Sequence, residues 1–350
     1  MSKRRRVSWI LCSGVTLAIG LVIPAGAATR PYVRSTPQSE RTAVKLVHWT
    51  TNVAVSYGNG FWTFKSDGVP ASNFVATNYA VPSNPLDVSA QGATIHTAAS
   101  VLTDQNYSYT LPLTPKYSSS TTVTNQGPIG FLLDGAALYN PYEANHSTVA
   151  TSDNFVASVG DVTASFLDDC DGHPGPGGQY HYHGLPACLV AYATMGSTQQ
   201  VTSVTSSAGA TTPAVQEVNA AAKRPVILGF AFDGYGIYDN VAMNGSVVPV
   251  SALDRCNGIF SPVPGYPHGV YHYVLENVKG SRSSIGCYHG VVSSAYTRAL
   301  EDDLSDTNSA SVGAPPPRTH VESARSLAAN VDEDNILVAM LRLQPWSHDC

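Results

Sequence analysis

The chain has 350 residues, 43% hydrophobic and only 13% charged, and carries a formal net charge of −6 at pH 7. That acidic balance argues against a nucleic-acid or anionic-membrane partner, either of which calls for a basic patch. With 29 glycines, 23 prolines and 18 tyrosines beside abundant Ser and Thr, it points to a β-rich protein with many turns.

Lys3 and Arg4 to Arg6 precede an apolar run from Val7 to Pro24, and the small residues Ala25 to Ala28 follow. This pattern predicts a secretory signal peptide at 1–28 and a secreted, extracellular mature chain. The run is short and broken by Gly14, Gly20 and Pro24, and no later segment is apolar enough to span a bilayer. Removing the four basic residues of the leader leaves 15 basic against 25 acidic ones, a formal −10. Five cysteines remain, Cys170, Cys188, Cys256, Cys287 and Cys350, in a compartment where disulfides form.

The predicted domain runs over 45–295. Its lead-in, 45–124, alternates β-formers around Gly58-Asn59-Gly60, which reads as a hairpin. Thereafter the chain repeats itself. "GFLLDGAALYN" (Gly130 to Asn140) aligns without a gap to "GFAFDGYGIYD" (Gly229 to Asp239), Asp233 standing 99 residues after Asp134. Each copy continues through Leu-Asp-x-Cys-x-Gly, a Gly/Pro loop, Tyr-His-Tyr and a closing Cys. A first half (125–195) and a second half (224–295) are therefore expected to be homologous, β-rich and packed as one unit, with 196–223 a Ser/Thr/Ala-rich linker. Because each half's cysteines flank its Tyr-His-Tyr segment, the expected bridges are Cys170–Cys188 and Cys256–Cys287. Closing loops of that size stabilises by about 3 kcal/mol each on the chain-entropy model. Cys350 is left free, bridging another molecule, or re-pairing the set. The tail, 299–350, is polar with three consecutive prolines and reads as mostly disordered, with a short helix candidate after Val321.

"GPGGQYHYHGLPAC" (Gly175 to Cys188) alternates Tyr180, His181, Tyr182 and His183. On an extended strand the two tyrosines share one face and the two histidines the other. His173 lies behind Asp171-Gly172, and the intervening loop is placed to fold it onto the pair. Three neutral imidazoles suit one divalent transition metal, Cu, Zn or Fe. In the second half His272 matches His181, but Ile259 and Val274 stand where His173 and His183 would. His272 is expected either to join the first-half site or to be structural, and His268 and His289 lack the first half's spacing. Asp134-Gly135 and Asp233-Gly234 read as tight turns, with Asp134 and Asp233 as carboxylate ligands or acid/base groups the functional alternative. Asp168, Asp169, Asp171 and Asp254 cluster near the cysteines, where turn caps or a hard-cation site are open readings. No nucleophile elbow, phosphate loop or zinc-binding His-Glu-x-x-His helix is present, and no residue is assigned a catalytic role.

"DDCDGHPGPGGQYHYH", the paired "GF…DG" blocks, "LDRCNG" and "GVYHY…GCYHG" resemble the YHYH-domain proteins, over about residues 47–290. The resemblance implies a secreted or surface-exposed protein and brings no established activity. It also implies a "CNGH" and a second "YHYH", where this chain has "CNGI" and "YHYV"; that departure concentrates the expected metal site on His173, His181 and His183. Two further readings stand beside metal binding. One is a metal-free binding or structural protein presenting Tyr180, Tyr182, Tyr235 and Tyr271 to a carbohydrate or protein partner. The other is a hydrolase with a histidine base beside Asp134 or Asp233.

Overall fold

Gly58 to Gly60 make the turn that the sequence predicts. Asn59 and Gly60 both take positive φ (49° and 79°), the condition for a two-residue hairpin whose twist matches its strands. The turn joins β1 (Val53–Gly58) to β2 (Phe61–Ser66). This hairpin belongs to a computed structural model that describes residues 39–297, apart from 72–73, 85, 87–91, 153, 196–223 and 279. The expected signal peptide, the linker, the polar tail with its helix, and Cys350 lie outside the described residues.

The lead-in also holds β3 (Asn78–Pro82), β4 (Ala93–Thr97), β5 (Tyr107–Pro112) and β6 (Tyr117–Val123), with short helices α1 (Arg41–Leu46) and α2 (Ala98–Val101). Next come β7 (Gly130–Leu132), β8 (Ala137–Leu138), β9 (Val156–Val159), β10 (Val162–Ser165), β11 (Gly172–Pro174), β12 (Tyr180–Tyr182) and helix α3 (Ala187–Met195). After the linker follow β13 (Ile227–Ala231), β14 (Gly236–Tyr238), β15 (Gly258–Val263), β16 (Tyr266–Val274), β17 (Cys287–Gly290) and helix α4 (Ser294–Thr297). Mainly β architecture was legible in the composition; α3, an apolar run with Pro186 at its start, was not anticipated.

Eight strands form one sheet in the order β11-β12-β8-β7-β13-β14-β16-β15. The first repeat stretch supplies the left four and the second the right four, joined at the antiparallel β7–β13 pair where Phe131 lies opposite Phe230. The order reads the same from either side of that junction. The parallel pairings match too: Tyr182 opposes Leu138, and Tyr273 opposes Ile237, 99 residues beyond Leu138.

At the junction β13 passes so close to β7 that a Cβ on Gly229 would run into the Phe131 carbonyl oxygen and the Leu132 Cα. Those are paired backbone atoms and have nowhere to go. Gly229→Ala is therefore expected to cost about 3 kcal/mol, the upper range of overpacking, read as a lower urea midpoint.

One face of the junction is sealed by the lead-in. Phe64 stacks on Phe131 at 3.9 Å and Trp62 meets Phe230 edge-on at 4.7 Å, and all four are fully buried. Both expected disulfides are present. Cys170–Cys188 ties the segment before β11 to α3, and Cys256–Cys287 ties the segment before β15 to β17.

The acid-glycine pairs are turns, with Gly135 and Gly234 at φ 88° and 94°. Their carboxylates, fully buried, brace the tyrosines of the Tyr-His-Tyr segments. Tyr182 donates to Asp134 at 2.6 Å and Tyr273 to Asp233 at 2.5 Å. A second set repeats this, Tyr180 donating to Asp168 and Tyr271 to Asp254, both at 2.8 Å. The same two aspartates accept backbone N–H groups from Cys170 and Gly172, and from Cys256 and Gly258. A buried hydroxyl or carboxylate needs such partners, so each pair fixes a tyrosine's position.

Candidate metal centre

Strands β11 and β12 run antiparallel with His173 directly opposite His181, and residues so opposed project to the same face. His183 follows His181 by two and returns to that face. The loop between them closes tightly: Gly175 donates to the Gln179 carbonyl at 2.8 Å, and Gly177 and Gly178 take φ of 82° and 78°. It folds His173 back on the pair as the spacing predicts. One ligand nitrogen from each of the three imidazoles lies within 4.8 Å of the others, and the three residues are only 6%, 4% and 4% exposed.

Carbonyls behind the rings set their protonation. The Asn140 carbonyl takes a hydrogen bond from His183 Nδ1 at 2.7 Å, and the Gln179 carbonyl one from His181 Nδ1 at 3.2 Å. A carbonyl only accepts, so both Nδ1 atoms carry the proton and both Nε2 atoms are left as acceptors, the arrangement that orients metal-binding histidines. His173 Nε2 stands 3.2 Å from His183 Nε2, within hydrogen-bonding distance, and its Nδ1 is buried. Two nitrogens bound at 2.0–2.1 Å to one tetrahedral ion stand about 3.3 Å apart, so this gap fits a shared ion.

Burial disfavours the charged imidazolium, and each ring also repels a charge on its neighbours. His173 and His181 are held well below the usual histidine range by burial first and by the adjacent imidazoles second. Burial lowers His183 to about 4, opposed by its bond to Asn140. All three are neutral at pH 7, the form that ligates. Phe166 covers His173 and Tyr139 stacks on His181, each with ring centres 3.9 Å apart. The Tyr139 hydroxyl accepts from the Gln179 amide at 2.7 Å.

The other sequence-predicted residues lie elsewhere. His272 does not join the three: its Nδ1 donates to the Val270 carbonyl at 3.0 Å and its ring meets Tyr238 edge-on. Around it Val274 and Ile259 pack with Val248, Leu253 and Ala242 in an aliphatic cluster. Asp134 and Asp233 face tyrosine hydroxyls and belong to no ligand cluster among the described residues. Tyr180, Tyr182 and Tyr271 are 1%, 0% and 4% exposed; they are braces for the sheet and offer no surface to a partner. His268 is exposed.

A second cluster, Asp254, Cys256 and His289, was not anticipated as a unit. Its sulfur is bonded to Cys287. His289 Nε2 lies 3.3 Å from the Asp254 carboxylate, its Nδ1 bonds the Ser118 carbonyl, and its ring stacks on Tyr117. His289 thereby fastens β6 and β17 to the second half of the sheet. Asn140, Gln179, Tyr139 and Phe166, the residues that set and cover the tri-histidine centre, were also missed. Only Tyr139-Asn140 carried a signal, as the end of the first repeat block.

Because His272 is buried and lowered to about 4 by burial, the unfolded chain takes up its proton before the folded one. Its neutral ring stabilises the fold above the unfolded value near 6.5 and loses that contribution as pH falls toward 4. The difference in unfolding free energy between wild type and His272→Gln is expected to shrink by about 1.4 kcal/mol per pH unit across that window. Denaturant titrations at stepped pH check the slope.

These features define a class: a disulfide-bridged β-sheet protein with a buried tri-histidine cluster. Residues 108–249 match the family model described as YHYH protein, the family that the chain's motifs resemble. The matched segment contains His173, His181 and His183 and ends before His272. No curated protein and no solved structure matches the chain.

Proposed function

We propose that this is a secreted protein whose two sheet halves arose by duplication and whose first half holds one transition-metal ion, Cu, Zn or Fe, through His173, His181 and His183. The observation that carries the reading is the clustering of three buried, neutral imidazoles, each offering one ring nitrogen within 4.8 Å of the other two, with the His173 and His183 Nε2 atoms 3.2 Å apart. When bound, the ion supplies a Lewis-acid or electron-transfer centre. The chain's own residues do the rest: Asn140 and Gln179 hold two rings in register, Phe166 and Tyr139 exclude water, and Asp134 and Asp168 fix the strand from behind through Tyr182 and Tyr180.

Two disulfides, and no helix among the described residues long and apolar enough to cross a membrane, support an extracellular setting. A metal-free binding role for the tyrosines is disfavoured by their burial, and a histidine base beside Asp134 or Asp233 by the hydroxyls those carboxylates already accept.

Elemental analysis tests the proposal. Purified full-length chain is expected to carry about one Cu, Zn or Fe per molecule, to lose it to a chelator and to regain it on dialysis against the metal. A protein that takes up none of the three after chelation sinks the reading.

A further inference from the structure

The electrical character of the centre goes beyond its ability to hold an ion. All three ligand groups are neutral, and among the described residues no carboxylate or thiol lies with them within 4.8 Å. The strand geometry explains this. Residues 180 and 182 face away from the histidines, so the carboxylates they engage, Asp168 and Asp134, lie on the opposite face of β12. The histidine side is instead closed by the rings of Phe166 and Tyr139.

A cation in such a place keeps its charge uncompensated. The solvation cost of a buried ion rises with the square of its charge, so a divalent ion forfeits about four times what a monovalent one does. A buried divalent site commonly offsets that cost with thiolate or carboxylate ligands, or with a water or hydroxide in the open position of a three-histidine set; among the described residues no carboxylate or thiol joins the three imidazoles, and Phe166 and Tyr139 cover them. Three ligands also leave a divalent copper short of the tetragonal set it prefers, and the covering rings provide no oxygen donor in the place of the missing ones. Three imidazole nitrogens around one soft, singly charged ion need neither an anion nor further ligands.

Resting on the metal-site reading above, we propose that the tri-histidine centre is selective for monovalent copper, holding Cu(I) more tightly than Cu(II) or Zn(II). A bound copper is thereby kept in its reduced state. The functional class this defines is a cuprous-ion carrier or a copper centre of raised reduction potential, rather than a zinc hydrolase.

The test uses the full-length, disulfide-intact chain after chelation. Cu(I) is titrated under nitrogen against a chromophoric Cu(I) chelator of known affinity, and Cu(II) and Zn(II) are titrated separately against their own competitors. The expected result is one equivalent of Cu(I), bound at least 100-fold more tightly than either divalent ion and lost in His183→Ala. Cu(II) or Zn(II) binding within 100-fold of Cu(I), or binding alone, overturns the charge-selectivity inference and leaves the metal site standing. No binding of any of the three overturns the site as well. Cu(I) uptake that survives His183→Ala places the ion elsewhere and overturns the inference.

Discussion

Asp168→Ala is expected to lower the unfolding free energy by about 4 kcal/mol or more, enough to bring a domain of ordinary stability close to its threshold. The side chain is the meeting point of three segments that are distant in sequence. It accepts the Tyr79 hydroxyl of β3 at 2.7 Å, the Tyr180 hydroxyl of β12 at 2.8 Å, and the backbone N–H groups of Cys170 and Gly172 at 2.9 and 3.2 Å. Alanine would strand four buried donors, each worth about 1–3 kcal/mol when left unsatisfied and not fully additive. Asp254→Ala supplies the comparison. It removes the corresponding bonds to Tyr271, Cys256 and Gly258, but the Asp254 side chain is 32% exposed. Water reaches the abandoned donors there, and a loss about half as large is expected. Equal urea midpoints for the two variants would contradict the view that burial sets the cost.

The second large effect concerns the metal. His183→Ala removes one of three ligands and is expected to weaken binding by more than about 100-fold, since losing even an outer-shell partner costs 10–100-fold. His272→Gln, which touches an imidazole of the same strand motif in the other half, is expected to leave the affinity unchanged. Metal binding to the folded state alone raises stability by about 2.7 kcal/mol when free metal is 100 times Kd, so wild type and His272→Gln should both gain melting temperature on loading while His183→Ala gains none. A gain in His183→Ala comparable to that of wild type would place the ion elsewhere.

How much of this was legible in the sequence depends on the range of each interaction. The strand alternation of Tyr180 to His183 and the turn chemistry of Asp134-Gly135 are local, and both describe the structure well. The cysteine pairs were legible because two copies of one motif bracketed them alike. The sheet order was not, since the β7–β13 junction depends on how two stretches about 100 residues apart meet, and nothing in either Gly-Phe block declares that Phe131 and Phe230 lie opposite one another. Residues that touch the centre from other segments escaped for the same reason. Phe166 and Asn140 carry no metal signature of their own, and His289 finds Asp254 only after β17 is laid beside β6. The role of the tyrosines stayed open because aromatic side chains at two-residue spacing look alike whether they face solvent or a buried carboxylate; only Asp134 and Asp168, brought in by the fold, place Tyr182 and Tyr180 against carboxylates.

X-ray absorption at the edge of the bound metal tests the central claim most directly. A first shell of three imidazole nitrogens at about 2.0 Å, with no sulfur and with imidazole multiple scattering lost in His183→Ala, is the result expected from His173, His181 and His183. A shell containing sulfur, a shell of carboxylate oxygens, or a spectrum indifferent to His183→Ala would contradict it.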